Sequence, residues 1–365
     1  MKVIITCGGT GGHITPALAI ADVIRRNAPR AEILFVGAAG GMEEELVAAA
    51  GYPIRLLQVR GFVRRLTLDN IKVLRGAMLA VREAERLLGD FSPDIVIGTG
   101  GYASYPTLSA AARLGIPSAV HESNAVAGLA VKRLAPRVDR VWLNFAAAGE
   151  GISKRAEALV VGNPVRGLSG DATPPRLPQG CRRMLLSFGG SLGAAAINRG
   201  ALELAEAIAK RPDIYYVHAS GRRDFERMQG EYAARGLDGM PNLLLLPFIS
   251  DMPRQMAAAD LVISRAGAIS ISELAASRSA AILIPSPNVT GNHQLRNAEV
   301  LAKRGAAVLM RESEMSPGAL TRTALALLED GMRREELSRR IAEFSTPDAG
   351  LLIWQDIGRL VAKKR

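Results

Sequence analysis

Two glycine pairs and a histidine stand near the start of the chain, in CGGTGGHITP (7–16). Bare glycine backbone at a helix N-terminus lets an anionic ligand approach N–H groups. His13 sits at the mouth of this turn, where the helix end disfavours an imidazolium, so a neutral ring could act as general base. The alternative is a histidine that merely caps the turn. A second polar cluster, HESNAVAG (121–128), follows the apolar SAV and brings His121, Glu122, Ser123 and Asn124 to a strand end. Packing gives little reason for four polar residues there. Glu122 is the other candidate for taking a proton, and a carboxylate with an amide also suits sugar hydroxyls or orientation of a base.

The second half of the chain carries comparable groups. SFGGSLGA (187–194) is another strand running into a glycine turn, with Ser191 near the start of the helix expected after it. In SRAGAISISE (264–273), Glu273 is a lone acid in an apolar helix start. It could accept both hydroxyls of a ribose, or be an ordinary N-terminal helix charge. NHQLRNA (292–298) gathers amides and a histidine at a helix start, which also suits sugar hydroxyls.

Several chemistries are disfavoured by spacing. The third glycine of a dinucleotide fingerprint would fall on Ile14, and the second strand ends at Gly37 with no acid for a ribose. There is no Gly-Lys-Ser/Thr, so no Walker-type phosphate loop. No Asp-x-Asp pair occurs, so any phosphate must be neutralised otherwise, with Arg166, helix N-termini and hydroxyls as the available substitutes.

The elements that must position these groups alternate between short apolar strands and amphipathic helices. Strands are expected at 3–7, 32–36, 94–98, 118–121, 184–190, 215–218, 243–246, 261–264 and 281–284. Helices are expected over about 16–26 and 42–50, and from Ser191 through AEAI. This alternation predicts an α/β fold of two doubly wound parallel-sheet, Rossmann-like domains. The boundary is placed near Asn163, in the Pro- and Gly-rich GNPVRGLSGDATPPRLPQG (162–180). The expected divisions are 1–163, 164–344, and a terminal helix over 345–365 packing back on the first domain. Ligands of open parallel sheets bind at strand carboxyl ends, so the small-residue turns, GTGGYASYP (98–106) among them, should line one cleft.

At 365 residues with 48% apolar and 22% charged residues, the chain has material for two cores. Two distant cysteines, Cys7 and Cys181, argue against a disulfide framework and fit a reducing cytoplasm. The N-terminus reads as a first strand rather than a signal peptide, and no apolar run approaches the roughly 20 residues of a membrane span. A net charge of +11 suits anionic partners. With 4% aromatics and no nucleic-acid motif, nucleic acid is disfavoured. Gly61 to Leu88 offers a peripheral membrane patch: Phe62, Arg64 and Arg65, then Ile71, Lys72, Leu74, Arg75 and Met78 on an amphipathic helix. An ordinary helix packing on the sheet explains part of that stripe.

Together GGTGGHITPALA, GTGGYASYP, HESNAVAGLAVK, VVGNPVR, SFGGSLGA, PFISDM, SRAGAISISELA, NHQLRNA and STPDA, in this order along nearly the whole chain, resemble the MurG family of bacterial GT-B glycosyltransferases. Each motif alone is weak; their order and spacing are specific. The resemblance implies inverting transfer of N-acetylglucosamine from UDP-N-acetylglucosamine to lipid I, without an obligatory metal or other cofactor. It implies an acceptor-binding, membrane-associating N-terminal domain and a donor-binding C-terminal domain. Carried over by motif, Arg166 and Ser191 would contact uridine and diphosphate, and Ile249 the uracil through its backbone. Ala268, Ile269, Ser270, Ile271 and Ser272 would form the helix start facing the diphosphate, with Glu273 on the ribose and Gln294, beside His293, on the sugar. Thr10, Gly11, Gly12 and Asn124 would reach the donor from the other domain, and His13 would deprotonate the acceptor. Partners would be both substrates, the anionic inner (cytoplasmic) membrane face, and candidate cell-wall synthesis or division proteins. A GT-B enzyme with another lipid or small-molecule acceptor is the alternative. The chain departs from the family pattern at Ser123, Val131 and His293, which bears on the acceptor side and the sugar reading.

Overall fold

The computed structural model describes residues 1–59, 69–165, 175–190 and 193–364, and for 69–75, 77 and 290 the backbone alone. The chain forms two compact units, Met1–Arg166 with Thr346–Arg365, and Gly167–Ser345.

The first unit is built on a seven-stranded sheet. Its strands are β1 (Lys2–Thr6), β2 (Glu32–Ala38), β3 (Ile54–Leu57), β4 (Ile95–Gly98), β5 (Ser118–Glu122), β6 (Arg140–Leu143) and β7 (Ala158–Val160). All neighbours pair in parallel, in the order β3-β2-β1-β4-β5-β6-β7. β1 reads KVIIT because a central parallel strand is covered on both faces. Its side chains alternate between two cores. Val3 and Ile5 join Phe35 and Trp142 against α1 (Gly11–Asn27) and α13 (Ala349–Lys363). Ile4 joins Val36, Val96 and Val120 against α3 (Asp69–Phe91) and α4 (Ser104–Arg113). The terminal helix α13 packs on α1, and a Cβ on Gly350 would lie 2.8 Å from Val23. Its buried Asp356 accepts from Arg140 Nε at 2.9 Å and Trp142 Nε1 at 2.8 Å.

The second unit repeats the plan. β8 (Arg183–Phe188), β9 (Ile214–Ala219), β10 (Leu243–Leu246), β11 (Leu261–Ser264), β12 (Ala281–Leu283) and β13 (Val308–Leu309) pair in parallel in the order β10-β9-β8-β11-β12-β13. In both sheets the first strand sits inside and the chain reverses direction across it, so β1/β4 and β8/β11 are the switch points of the two sheets.

Two helix starts differ from expectation. α1 begins at Gly11, five residues before Pro16. Its first turn closes when Thr10 O accepts from the His13 and Ile14 N–H groups at 3.0 and 3.2 Å. Pro16 therefore lies inside the helix, where it leaves Gly12 O without its helical donor. α6 (Ala195–Ile208) begins four residues after Ser191. Gly193 delays it, with φ +78 and a position where a Cβ would lie 2.1 Å from Ser220 O.

Candidate active site

In the first unit, the turn from β1 to α1 holds His13 within the first helical turn rather than ahead of it. His13 Nδ1 lies 3.1 Å from Gly8 O and 3.3 Å from Thr10 Oγ1. A carbonyl only accepts, so Nδ1 is the donor, and a neutral ring then keeps its lone pair on Nε2. The loop after β4 braces the residue from the other side. Thr99 Oγ1 donates to His13 O at 2.7 Å, and a Cβ on Gly100 would lie 2.9 Å from the ring. Gly9, with φ +87, leaves no room for a side chain beside the Tyr102 ring. Thr10 and Gly12 are exposed and Gly11 is half-buried, so this turn presents backbone to solvent.

The HESN stretch differs from expectation, because packing does explain most of it. His121, Glu122 and Ser123 are buried, and only Asn124 is partly accessible. His121 Nε2 donates to Gly162 O at 2.9 Å, and Ser123 Oγ donates to His121 Nδ1 at 3.4 Å. Burial lowers the His121 pKa to about 4, so this ring stays neutral. Glu122 Oε1 accepts from the backbone and side-chain N–H of Asn124 at 2.9 and 3.0 Å, and Oε2 from Gly128 N–H at 2.8 Å. Glu122 thereby shapes the loop over 122–128 and holds the Asn124 amide in place.

Sequence reasoning missed Glu43. It is fully buried, and its carboxylate accepts from Gly9 N–H at 3.2 Å and Ala38 N–H at 2.9 Å. Its only sequence signal was its place at the head of an EEE run, which reads as a solvated helix face.

In the second unit, α9 (Ala268–Ala276) follows β11 with Gly267 as N-cap, and its first helical bond runs from Ile271 N–H to Gly267 O at 2.9 Å. The earlier N–H groups of this turn have no partner inside the helix and mark its anion-attracting end. The side chains divide: Ile271 enters the core, Ser272 Oγ donates back to Ala268 O at 3.0 Å, and Ile269 and Ser270 stay half-buried. Burial raises the Glu273 pKa to about 7, and no described residue donates to its carboxylate. Ile249 is buried in the loop after β10. His293 opens α10 (His293–Lys303), and Gln294 Oε1 accepts from Ser286 N–H at 2.8 Å, tying that helix start to the loop after β12. Arg166, Ser191, Phe62, Arg64 and Arg65 lie outside the described residues, and Ile71, Lys72, Leu74 and Arg75 are described by backbone alone. Met78 is 57% exposed, whereas Val81, Ala84 and Leu88 of the same helix pack in the core.

Two family models divide this chain between them. The glycosyltransferase family 28 N-terminal domain matches residues 3–143, and the family 28 C-terminal domain matches 184–350. A curated relative from Acetivibrio thermocellus is 37% identical over all of this chain and 99% of its own length. The chain belongs to glycosyltransferase family 28 and, within it, to the MurG family. That relative and one from Limosilactobacillus fermentum, 38% identical over 96% of this chain and 95% of its own, bear one name. It is UDP-N-acetylglucosamine–N-acetylmuramyl-(pentapeptide) pyrophosphoryl-undecaprenol N-acetylglucosamine transferase. Among solved structures, Acinetobacter baumannii MurG is 29% identical, with a TM-score of 0.77 over 98% of this chain and 99% of its own. The calicheamicin glycosyltransferase CalG4, at 17% identity and a TM-score of 0.69 over 99% and 98%, shares the fold. The two parallel sheets of this MurG-family chain are those of the GT-B fold.

Proposed function

We propose that this chain transfers N-acetylglucosamine from UDP-N-acetylglucosamine to the C4 hydroxyl of the N-acetylmuramic acid in lipid I, with inversion, forming lipid II for peptidoglycan. Full-length relatives of the MurG family carry that name, and the observation that carries the mechanism is His13 held through Nδ1 on Gly8 O. Nε2 takes the proton of the C4 hydroxyl as its oxygen attacks the anomeric carbon. The bond from that carbon to the diphosphate breaks on the opposite face, and UDP leaves with the electron pair. The N–H groups at the start of α9, with Arg166 and Ser191, stabilise the departing diphosphate. Glu273 accepts from the ribose hydroxyls, Ile249 meets the uracil through its backbone, and Gln294 with His293 reads the sugar. Thr10, Gly11, Gly12 and Asn124 contribute donor contacts from the first unit. Glu122 is assigned to holding Asn124, since its oxygens already accept three N–H groups.

No helix among the described residues is long and apolar enough to cross a membrane. Lipid I carries a polyprenyl tail, so we assign the enzyme a peripheral place on the cytoplasmic membrane face. Phe62, Arg64, Arg65, Ile71, Lys72, Leu74, Arg75 and Met78 would form the docking patch. Changing Arg64, Arg65 and Arg75 to Glu should weaken binding to anionic vesicles; unchanged binding rejects the patch.

The deciding assay supplies labelled UDP-N-acetylglucosamine and a short-chain lipid I. Transfer is expected, and it should persist in EDTA. Transfer only to another acceptor favours a different lipid or small molecule, and activity lost in EDTA but restored by a divalent ion overturns the metal-free reading. His13→Ala should lower turnover roughly 10²–10⁴-fold, the usual contribution of a general base, with UDP affinity little changed. Near-normal turnover removes His13 from that role.

A further inference from the structure

The Gly8–Gly9 peptide is gripped from both edges. On one edge, Gly9 N–H donates to Glu43 Oε2 at 3.2 Å; on the other, Gly8 O accepts from His13 Nδ1 at 3.1 Å. These two groups belong to one rigid peptide plane, so neither edge turns without the other. Glu43 is built into its place. Its second oxygen accepts from Ala38 N–H, and a Cβ on Gly8, Gly37 or Gly41 would lie 2.8, 2.5 or 2.4 Å from its side chain. The plane is closed in from the β4 loop as well, where a Cβ on Gly101 would lie 2.1 Å from Gly8 O. Glu44 and Glu45, which follow in sequence, are exposed.

We propose that Glu43 is a positioning carboxylate for His13, acting through the Gly8–Gly9 peptide. Its charge polarises the N–H, the plane passes that polarisation to the Gly8 carbonyl, and the carbonyl holds the His13 proton on Nδ1. The lone pair is thereby kept on Nε2, and the imidazolium formed during transfer is stabilised from behind. This is the work of the carboxylate in a Ser-His-Asp triad, with a peptide interposed. The inference rests on His13 being the general base. Burial and Glu43 push the neighbouring Cys7 thiol up to about 12 and raise the Tyr102 hydroxyl, so neither of these two groups titrates in the working pH range.

The test compares wild type, Glu43→Gln, His13→Ala and the double variant in the lipid I transfer assay, with thermal unfolding as a folding check. Glutamine keeps the shape but can accept from only one of the two N–H groups. Glu43→Gln should lower kcat about tenfold or more, a share of the base's contribution, with donor KM within about twofold. The acid limb of its kcat–pH profile should move to lower pH, because the imidazolium loses a stabilising charge. In the His13→Ala background the same change should cost under about twofold, since the partner through which it acts is gone. Independent, multiplying losses overturn the proposal. Normal kcat and pH profile for Glu43→Gln, with His13→Ala inactive, overturn the relay alone. Near-normal turnover of His13→Ala removes the base reading and the relay with it. Should Glu43→Gln fail to fold, ¹⁵N-histidine spectra of the wild type decide: an Nδ1–H tautomer is expected for His13, and an Nε2–H tautomer overturns the proposal.

Discussion

Each unit sets a carboxylate beside its switch point, Glu43 fully buried and Glu273 half-buried, and the two are handled oppositely. Glu43 is fully enclosed and accepts two backbone N–H groups. Glu273 has no donor among the described residues, and burial raises its pKa to about 7. A buried carboxylate is costly until donors surround it. Glu43 receives its donors from the fold, so its work is done before any ligand arrives. Glu273 is left short of donors, as its proposed role on the ribose requires: a diol would bring the missing hydrogen bonds. One sheet plan therefore carries a carboxylate whose donors are already in place and another still open to donors from a ligand.

The largest test of this contrast is Gly101→Ala. Its φ of +84 and the 2.1 Å approach of a Cβ to Gly8 O leave the backbone nowhere to move. Loss of turnover is expected together with destabilisation of about 4 kcal/mol or more, read by denaturant unfolding. A stable, active variant would mean that the turn is not rigid.

Acid should affect both units alike. His121 and His218, one in each sheet, are fully buried and lowered by burial to about 4 from 6.5. His218 Nδ1 lies 2.7 Å from Ser187 Oγ, while its Nε2 has no hydrogen-bond partner among the described residues. Because the unfolded rings bind protons first, stability is full above about pH 6.5 and falls as pH drops toward 4, by roughly 3 kcal/mol per histidine. Urea midpoints between pH 7 and 4 check this; a flat profile rejects it.

Glu273→Gln should sharpen the contrast through its sign. The wild-type carboxylate, raised from 4.5 to about 7, imposes a cost that grows as pH rises through that window. Removing it should stabilise the protein at pH 8 by roughly 2–3 kcal/mol and leave it unchanged at pH 4. UDP affinity should rise with pH between 6 and 8 in the wild type, and be flat and about tenfold weaker at pH 8 in the variant, as charge-assisted bonds are lost. Calorimetric titration at both pH values decides. The smallest effect belongs to Gly190→Ala, where φ is +89 but no atom of the described residues lies within 4 Å of a Cβ. About 1 kcal/mol of backbone strain is expected, with activity retained.

Much of this architecture was legible because its signals are local. β-Branched runs such as KVIIT and LVIS, each ending in small residues, identify central strands of a buried parallel sheet. Ordered motifs identified the family. The start of α1 was not legible, because GGHIT has poor helix propensity and the turn is held by contacts from the β4 loop. Nor was the division within HESN, where polarity alone does not tell a buried hydrogen-bonded histidine from an accessible one.

The sequence by itself determined two α/β units, glycine turns after their first strands, and an imidazole beside one of them, since strand period and glycine freedom act over a few residues. Only the tertiary structure decided that Glu43, 34 positions from Gly9, is buried against that turn while its neighbours Glu44 and Glu45 face water. It also decided that His13 is held by Nδ1 rather than Nε2. Both follow from a peptide plane whose two edges are met by distant parts of the chain, and no local pattern encodes that meeting.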